Sequence, residues 1–177
     1  MSTAHTTTST RHIIVDSPIG PLTLVRDDDG LTGLYYPGHW TRPNRSSFGP
    51  QVESGDDRGF DDTVAQLREY FAGERRDFDL PLNPRGSDTA QQVWRRIAEI
   101  PYGQTTSYGT LAGRVGGGIS PRDIGGFVGD NPLSILIPCH RVVGAGGKLT
   151  GYAGGLDRKR YLLELEKAIP ASPLALW

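Results

Sequence analysis

The residue with the clearest chemical potential is Cys139, the single cysteine of the 177-residue chain. It closes an apolar run, Asn131-Pro132-Leu133-Ser134-Ile135-Leu136-Ile137-Pro138, and is followed at once by His140 and Arg141. Pro138 restricts the backbone on the approach to the sulfur. A cysteine is nucleophilic as thiolate, so a neighbouring base or cation that favours the charged form turns an inert sulfur into a reactive one. His140 and Arg141 are the candidates for that work. A lone cysteine is otherwise most often a small buried apolar residue. The Pro-Cys-His sequence at the end of such a run, shortly after a pair of short helices, favours the reactive reading. With no second cysteine, the sequence excludes an internal disulfide framework and a Cys-rich zinc site.

The elements before Cys139 read as helices joined by a tight turn. Ser87-Asp88 is an N-cap, and Val93, Trp94, Ile97 and Ile100 form an apolar stripe that ends at Pro101-Tyr102-Gly103. Thr106-Ser107 opens a short helix through Leu111 and Val115, and Gly116-Gly117-Gly118 makes a turn. Ser120-Pro121-Arg122-Asp123 then begins another helix, with Ser as cap and Pro in its first position. Two short helices across such a turn suggest helix-turn-helix, although the same pattern also serves ordinary helix packing. Arg122, in the first turn of the second helix, is placed to touch phosphate or enter a groove. After the cysteine, the Gly-rich stretch 144–155 carries Lys148 and Tyr152 and reads as a loop that comes close to a ligand, with a mobile hairpin the favoured reading for Gly144 to Gly147.

The N-terminal half is of another kind. His12 to Tyr36 reads as short strands separated by turns at Ser17-Pro18-Ile19-Gly20 and at Asp27 to Gly30, giving a small antiparallel sheet. Pro37 to Gly59 is dense in Pro, Gly, Ser and Asp and is expected to be a long irregular surface connection. Val64, Leu67, Tyr70 and Phe71 share one face of a following helix, with Asp61 and Asp62 at its positive end and Gly73 placed to stop it. The expected division is an α/β unit over residues 1–84, including the 37–59 loop, and a second unit over 87–177.

Composition narrows the function class little. The formal net charge is -1, but residues 1–100 carry 11 Lys/Arg against 15 Asp/Glu, while the remainder carries 8 against 5. The C-terminal half is the basic one. No apolar run is long enough to span a bilayer, and the start MSTAHTTTSTRH lacks the apolar stretch of a signal peptide. A cytoplasmic protein with no membrane partner is expected.

These residues resemble the methylated-DNA–protein-cysteine methyltransferases, also called O6-alkylguanine-DNA alkyltransferases. The resemblance rests on Ile137-Pro138-Cys139-His140-Arg141-Val142, Pro101-Tyr102-Gly103 with Ser107-Tyr108, Arg122 with Gly125-Gly126, Asn131-Pro132, and Gly151-Tyr152 to Gly154-Gly155-Leu156. It covers residues 87–167 strongly and extends more loosely through Ser17 to Leu22. The resemblance implies a ribonuclease H-like N-terminal unit, a small antiparallel sheet with a helix, followed by a mostly helical winged helix-turn-helix.

It also implies a chemistry. An alkyl group passes from O6 of a damaged guanine in double-stranded DNA, with O4-alkylthymine as a further candidate, onto Cys139, which is consumed. His140, through a water, relays the thiol proton to a buried glutamate that falls on Glu166. The damaged nucleotide is flipped out of the duplex, with Arg122 as the finger that fills the gap and Tyr108 serving the flipped base and a nearby phosphate. Ser107 and Ser120 accompany them at the DNA. Asn131 braces the active-site turn, and Pro138, Val142, Tyr152 and Ala153 line the pocket. No cofactor is implied, and the partner is alkylated duplex DNA near the nucleoid, bound by a monomer with cooperativity left open.

Some departures from the family bear on this. Some relatives bind a structural zinc in the N-terminal part; here that half offers only His5, His12 and His39 and no cysteine, so no metal is expected. Ser134, Thr150 and Ala153 replace proline, glycine and serine of some relatives, which leaves the tolerance for alkyl groups larger than methyl open. Asp123, beside the finger, is expected to cap its own helix. Two other readings compete: a Cys-His-Glu hydrolase with many turnovers, and a damage-binding module whose cysteine is inert.

Overall fold

The computed structural model describes residues 9–171. His5, most of the Thr/Ser-rich start and the tail beyond Ala171 lie outside the described residues. Strands β1 (Arg11–Val15), β2 (Leu22–Arg26) and β3 (Leu31–Tyr35) form an antiparallel sheet in that order. Val15 faces Leu22 in the register, and Thr23 faces Tyr35. Both expected turns form. The Ser17 hydroxyl donates to Gly20 O over 2.6 Å, and Asp27 Oδ1 accepts from the backbone of Asp29 and Gly30. Asp27 is fully buried, and its other oxygen accepts from Asn83 and Arg85, which fastens the sheet to the segment that leads into the second half.

The connection after β3 is less superficial than the sequence suggests. It buries His39 and Phe48, the latter at the end of a short 3-10 turn, Arg45–Phe48. Helix α1 (Arg58–Phe71) begins earlier than its acidic pair implies, because Asp57 is the N-cap and accepts from Gly59 N. The same carboxylate pairs with Arg11 at 2.6 Å and Arg26 at 3.1 Å, so one residue both starts the helix and ties it to β1 and β2. The helix stops where expected: Gly73 has φ 77°, and Glu74 N bonds back to Glu69 O.

In the second half, α2 (Asp88–Ala98) is capped by Ser87 and buries Val93, Trp94 and Ile97. The short β4 (Thr106–Ser107) leads into α3 (Tyr108–Val115), and α4 (Pro121–Gly129) follows the glycine turn. Gly116, Gly117 and Gly118 all have φ near +70° (76°, 68° and 74°), a conformation that side chains with a Cβ resist. Ser120 and Asp123 form a reciprocal capping box, which accounts for the acid beside Arg122. The apolar run 131–138 is a series of buried tight turns rather than a regular element, with Ile135 at φ 71°. It ends in one 3-10 turn, Cys139–Arg141, and β5 (Val142–Val143), which lies parallel to β4. Helix α5 (Leu156–Leu165) completes the chain described. One apolar core runs through both halves, from Leu22, Leu34 and Tyr70 to Ile97, Leu133 and Leu162. Leu34 N donates directly to Pro132 O over 2.8 Å.

Candidate active site

The 3-10 turn sets three consecutive side chains, Cys139, His140 and Arg141, inside the protein, all of them buried. His140 Nε2 lies 2.8 Å from Glu166 Oε1, and both side chains are 0% exposed. Arg141 grips the same carboxylate with two nitrogens, Nε to Oε2 and Nη2 to Oε1, each at 2.9 Å. Its third nitrogen donates to Ile100 O at 2.7 Å. Tyr70 Oη adds a further donor to Oε1 at 2.7 Å. Burial alone would push the Glu166 carboxyl up, but these partners hold it down at about 2. Glu166 is therefore an anion that can only accept. His140 Nε2 must then carry the proton it shares with Glu166, which leaves Nδ1 with a free lone pair. Nδ1 is buried and has no hydrogen-bond partner among the described residues. Burial also lowers the imidazole from its ordinary value, against the pull of Glu166, so it is neutral and able to take a proton.

Cys139 is buried, and burial pushes its thiol up; the Asn131 side chain and the charge of Lys159 oppose this. Asn131 Nδ2 donates to Ile137 O over 2.8 Å, and its Oδ1 accepts from Leu133 N over 3.0 Å. One side chain thus pins both ends of the turn that delivers the sulfur. Lys159 of α5 is wholly buried, with Nζ at 2.6 Å from Val142 O, 3.0 Å from Thr150 O and 3.3 Å from Gly151 O. Desolvation lowers it to about 8. The carbonyl of Val142 is thus already engaged, and its N–H donates to Cys139 O.

Beside the sulfur is a pocket of about 70 Å³ lined by Trp40, Tyr108, Val128, Tyr152 and Ala153, with Gly125 and Gly129 of α4. Tyr108 is half-buried at the start of α3, and burial raises its phenol. Tyr152 shares a 2.6 Å hydrogen bond with Tyr36. Pro138 is the residue before the 3-10 turn and lies buried behind it. Arg122 is exposed on the first turn of α4, three and seven residues ahead of Gly125 and Gly129, which line the pocket. Ser107 and Ser120 both spend their hydroxyl oxygens on caps, accepting from Thr110 N and Asp123 N. Among the described residues no group of three or more His, Cys, Asp or Glu is placed to hold a metal.

The structure therefore gathers Cys139, His140, Glu166, Asn131, Tyr108, Tyr152 and Ala153 at one place and leaves Arg122 at the surface. Sequence reasoning did not single out Lys159, Tyr70 or Trp40. Lys159 did carry a signal, since Lys159, Leu162, Leu163 and Glu166 follow the i, i+3, i+4, i+7 spacing of one buried face. Tyr70 reads from the sequence as part of an apolar stripe, and nothing local announces that its hydroxyl reaches a residue 96 positions away.

Comparison with known proteins places both halves of the chain in one family. Residues 88–168 match the family model of the 6-O-methylguanine DNA methyltransferase DNA binding domain, and residues 10–84 match that of the 6-O-methylguanine DNA methyltransferase ribonuclease-like domain. The methylated-DNA–protein-cysteine methyltransferase of Mycobacterium tuberculosis (strain H37Rv) is 47% identical over 163 residues, covering 92% of this chain and 96% of that protein. Its counterpart in Methanosarcina acetivorans is 41% identical over 155 residues, covering 88% and 97%. Among solved structures, Mycobacterium tuberculosis OGT in complex with DNA superposes with a TM-score of 0.79 at 46% identity, covering 89% of this chain and 93% of that one. With both halves matched and a buried cysteine, histidine and glutamate at the join of 3-10 turn and last helix, the chain belongs to the methylated-DNA–protein-cysteine methyltransferase family.

Proposed function

We propose that this chain repairs alkylated double-stranded DNA by taking the alkyl group from O6 of guanine onto Cys139, once per molecule. The observation that carries this reading is the buried Cys139-His140-Glu166 arrangement opening on a pocket of aromatic residues and glycines. A hydrolase also needs a nucleophile and a base, but it has no use for the helix pair whose second helix, α4, forms one wall of the same pocket.

In this reading His140 Nδ1 takes the thiol proton through a bridging water, and the imidazolium that forms is held by the Glu166 carboxylate. The thiolate attacks the alkyl carbon. A sulfur–carbon bond forms as the carbon–O6 bond breaks, and the bonding pair passes to the purine. Tyr108 donates a hydrogen bond and then a proton to the departing base, which leaves as guanine, and the thiol proton held on His140 returns through water to the Tyr108 phenolate. The thioether at Cys139 has no route back to a thiol, so one molecule performs one repair.

The target atom is inside the stacked duplex, so the nucleotide must leave it. Arg122, projecting from the start of α4, fills the space left behind, while Ser107 and Ser120 set their helix starts against the backbone. With the chain divided as residues 1–84 and 87–177, the second unit holds every group that touches the base or the phosphates except Trp40. The protein acts as a monomer at the nucleoid. Among the described residues no helix is long and apolar enough to cross a membrane.

The test is to incubate the protein with a short duplex carrying one O6-methylguanine and to weigh the intact chain and its peptides. A single methyl on the Cys139 peptide, saturating at one per protein, is the expected result. An unmodified cysteine with tight lesion binding would identify a recognition module instead, and continued turnover of a small ester would identify a hydrolase.

A further inference from the structure

The segment after β3 belongs to the N-terminal half and has no part in the proton relay, yet it closes the acceptor pocket. Tyr36 is buried and bonded to Tyr152 Oη. His39 folds the chain back on itself, its N–H donating to Tyr36 O over 3.2 Å and its Nδ1 accepting from Tyr36 N over 3.3 Å. The next residue, Trp40, donates its backbone N–H to Ala153 O over 3.0 Å. Its indole then lies on α4: a Cβ added at Gly129 would sit 3.1 Å from Trp40 Cζ2 and 3.3 Å from Nε1. The ring rests over Gly129, where no side chain intervenes, and 65% of the residue is exposed.

The space enclosed between Trp40, Tyr108, Tyr152 and Cys139 is about 70 Å³. A cavity of roughly 150 Å³ accommodates one benzene ring, and an alkylated guanine is larger than benzene. With the indole in this position the space at the sulfur takes a small alkyl group but not the whole base. Val128 and Ala153 are buried, and Tyr152 is tied to Tyr36. Tyr108 is half-buried at the start of α3, whereas Trp40 is exposed and fastened by its backbone bond to Ala153 O and its contact with Gly129.

We infer that Trp40 is the gate and the size-selecting wall of the acceptor pocket. The indole leaves Gly129 as the flipped base goes in, then limits how far outward the base can sit, so a bulkier alkyl group at the sulfur presses the base against it. This inference rests on the transferase reading above.

The test measures first-order rates of transfer to Cys139 from saturating duplexes carrying O6-methylguanine or O6-benzylguanine, for wild type, Trp40→Phe and Trp40→Ala. Rates per reacting molecule do not depend on the fraction that folds. The benzyl-to-methyl rate ratio is expected to rise about tenfold or more in Trp40→Ala, the scale on which one or two methylenes discriminate in a pocket, with Trp40→Phe between. An unmoved ratio overturns the inference, whether both rates fall together, as they would if the indole served only to stack on DNA, or neither changes. Wild-type protein that leaves O6-methylguanine unrepaired overturns the transferase reading and the gate with it. Wild-type repair with an unmoved ratio overturns the gate alone.

Discussion

Tyr70 Oη donates to Glu166 Oε1 over 2.7 Å, so the helix that packs on the N-terminal sheet holds the carboxylate on which the base of Cys139 depends. The Glu166 side chain is fully buried and takes four donors, from His140, Arg141 twice, and Tyr70. A hydrogen bond to a charged group contributes about 1.5–3 kcal/mol. Tyr70→Phe is therefore expected to lose about 2 kcal/mol of stability in urea unfolding and to slow alkyl transfer only modestly. Glu166→Gln removes the anion that supports the imidazolium and is expected to slow transfer by roughly 100-fold, the lower end for general acid–base assistance. A Tyr70→Phe protein as stable as wild type would show that this one of the bonds between the halves contributes nothing.

Lys159 presents a different prediction. Its ammonium is surrounded by three carbonyls and, through its charge, favours the thiolate of Cys139. Lys159→Met keeps the buried stem and removes the charge. The pH midpoint for alkylation of Cys139 by iodoacetamide, followed by peptide mass, should move upward, and the unpaired carbonyls should cost about 2 kcal/mol of stability. An unshifted midpoint would mean that Lys159 only holds the loop. Because its native value is about 8, below the ordinary 10.5, the unfolded chain binds more protons there between those values, and the wild-type stability attributable to this group rises as pH climbs from 8 to 10.5.

How much of this was legible in the sequence depends on the range over which each residue acts. Caps and turns are local, and Ser87, Ser107, Ser120 with Asp123, Gly73 and the Gly116–Gly118 turn all appear where their residue types place them. Asp57 was missed because two acids in sequence, Asp61 and Asp62, look like a helix start, while the acid that caps α1 is chosen by Arg11 and Arg26 from the sheet. Cys139 and His140 stood out by their setting, and Glu166 came from the family pattern alone. Its local sequence, Leu-Glu-Lys, reads as a solvated charge, and only the convergence of Tyr70, His140 and Arg141 makes it a buried anion. Trp40 sat in a segment whose Pro, Gly and Ser content predicted surface, and a composition argument does not see a backbone bond to Ala153.

His39 gives the protein an acid-sensitive joint. It is buried, its Nδ1 accepts from Tyr36 N, and burial lowers it from 6.5 to about 4. The native state thus resists protonation that the unfolded chain accepts between pH 6.5 and 4, so stability falls as pH drops through that window. From pH 7 to pH 5 the loss attributable to His39 is about 2 kcal/mol by this linkage, and His140, also lowered by burial, acts in the same direction. Urea unfolding of wild type and His39→Gln at the two pH values measures the difference. The variant should lose less stability on acidification than wild type; equal losses would place the sensitivity elsewhere.

Arg122 can act in two ways that DNA affinity alone does not separate, since an arginine at a phosphate and an arginine in the base stack both weaken binding when removed and both make binding salt-dependent. The lesion in a single strand provides the distinction. There is no partner strand to leave behind and no stacked gap to fill, so a finger has little to do there. If Arg122 fills the gap, Arg122→Ala slows transfer from O6-methylguanine in duplex and leaves transfer from the same lesion in a single strand close to wild type, both measured at saturating DNA so that binding does not limit. If it only holds phosphate, saturation restores the duplex rate. The exposed position on the first turn of α4, ahead of the glycines that face the pocket, places the side chain on the helix that would enter the groove, and the first outcome is the one expected.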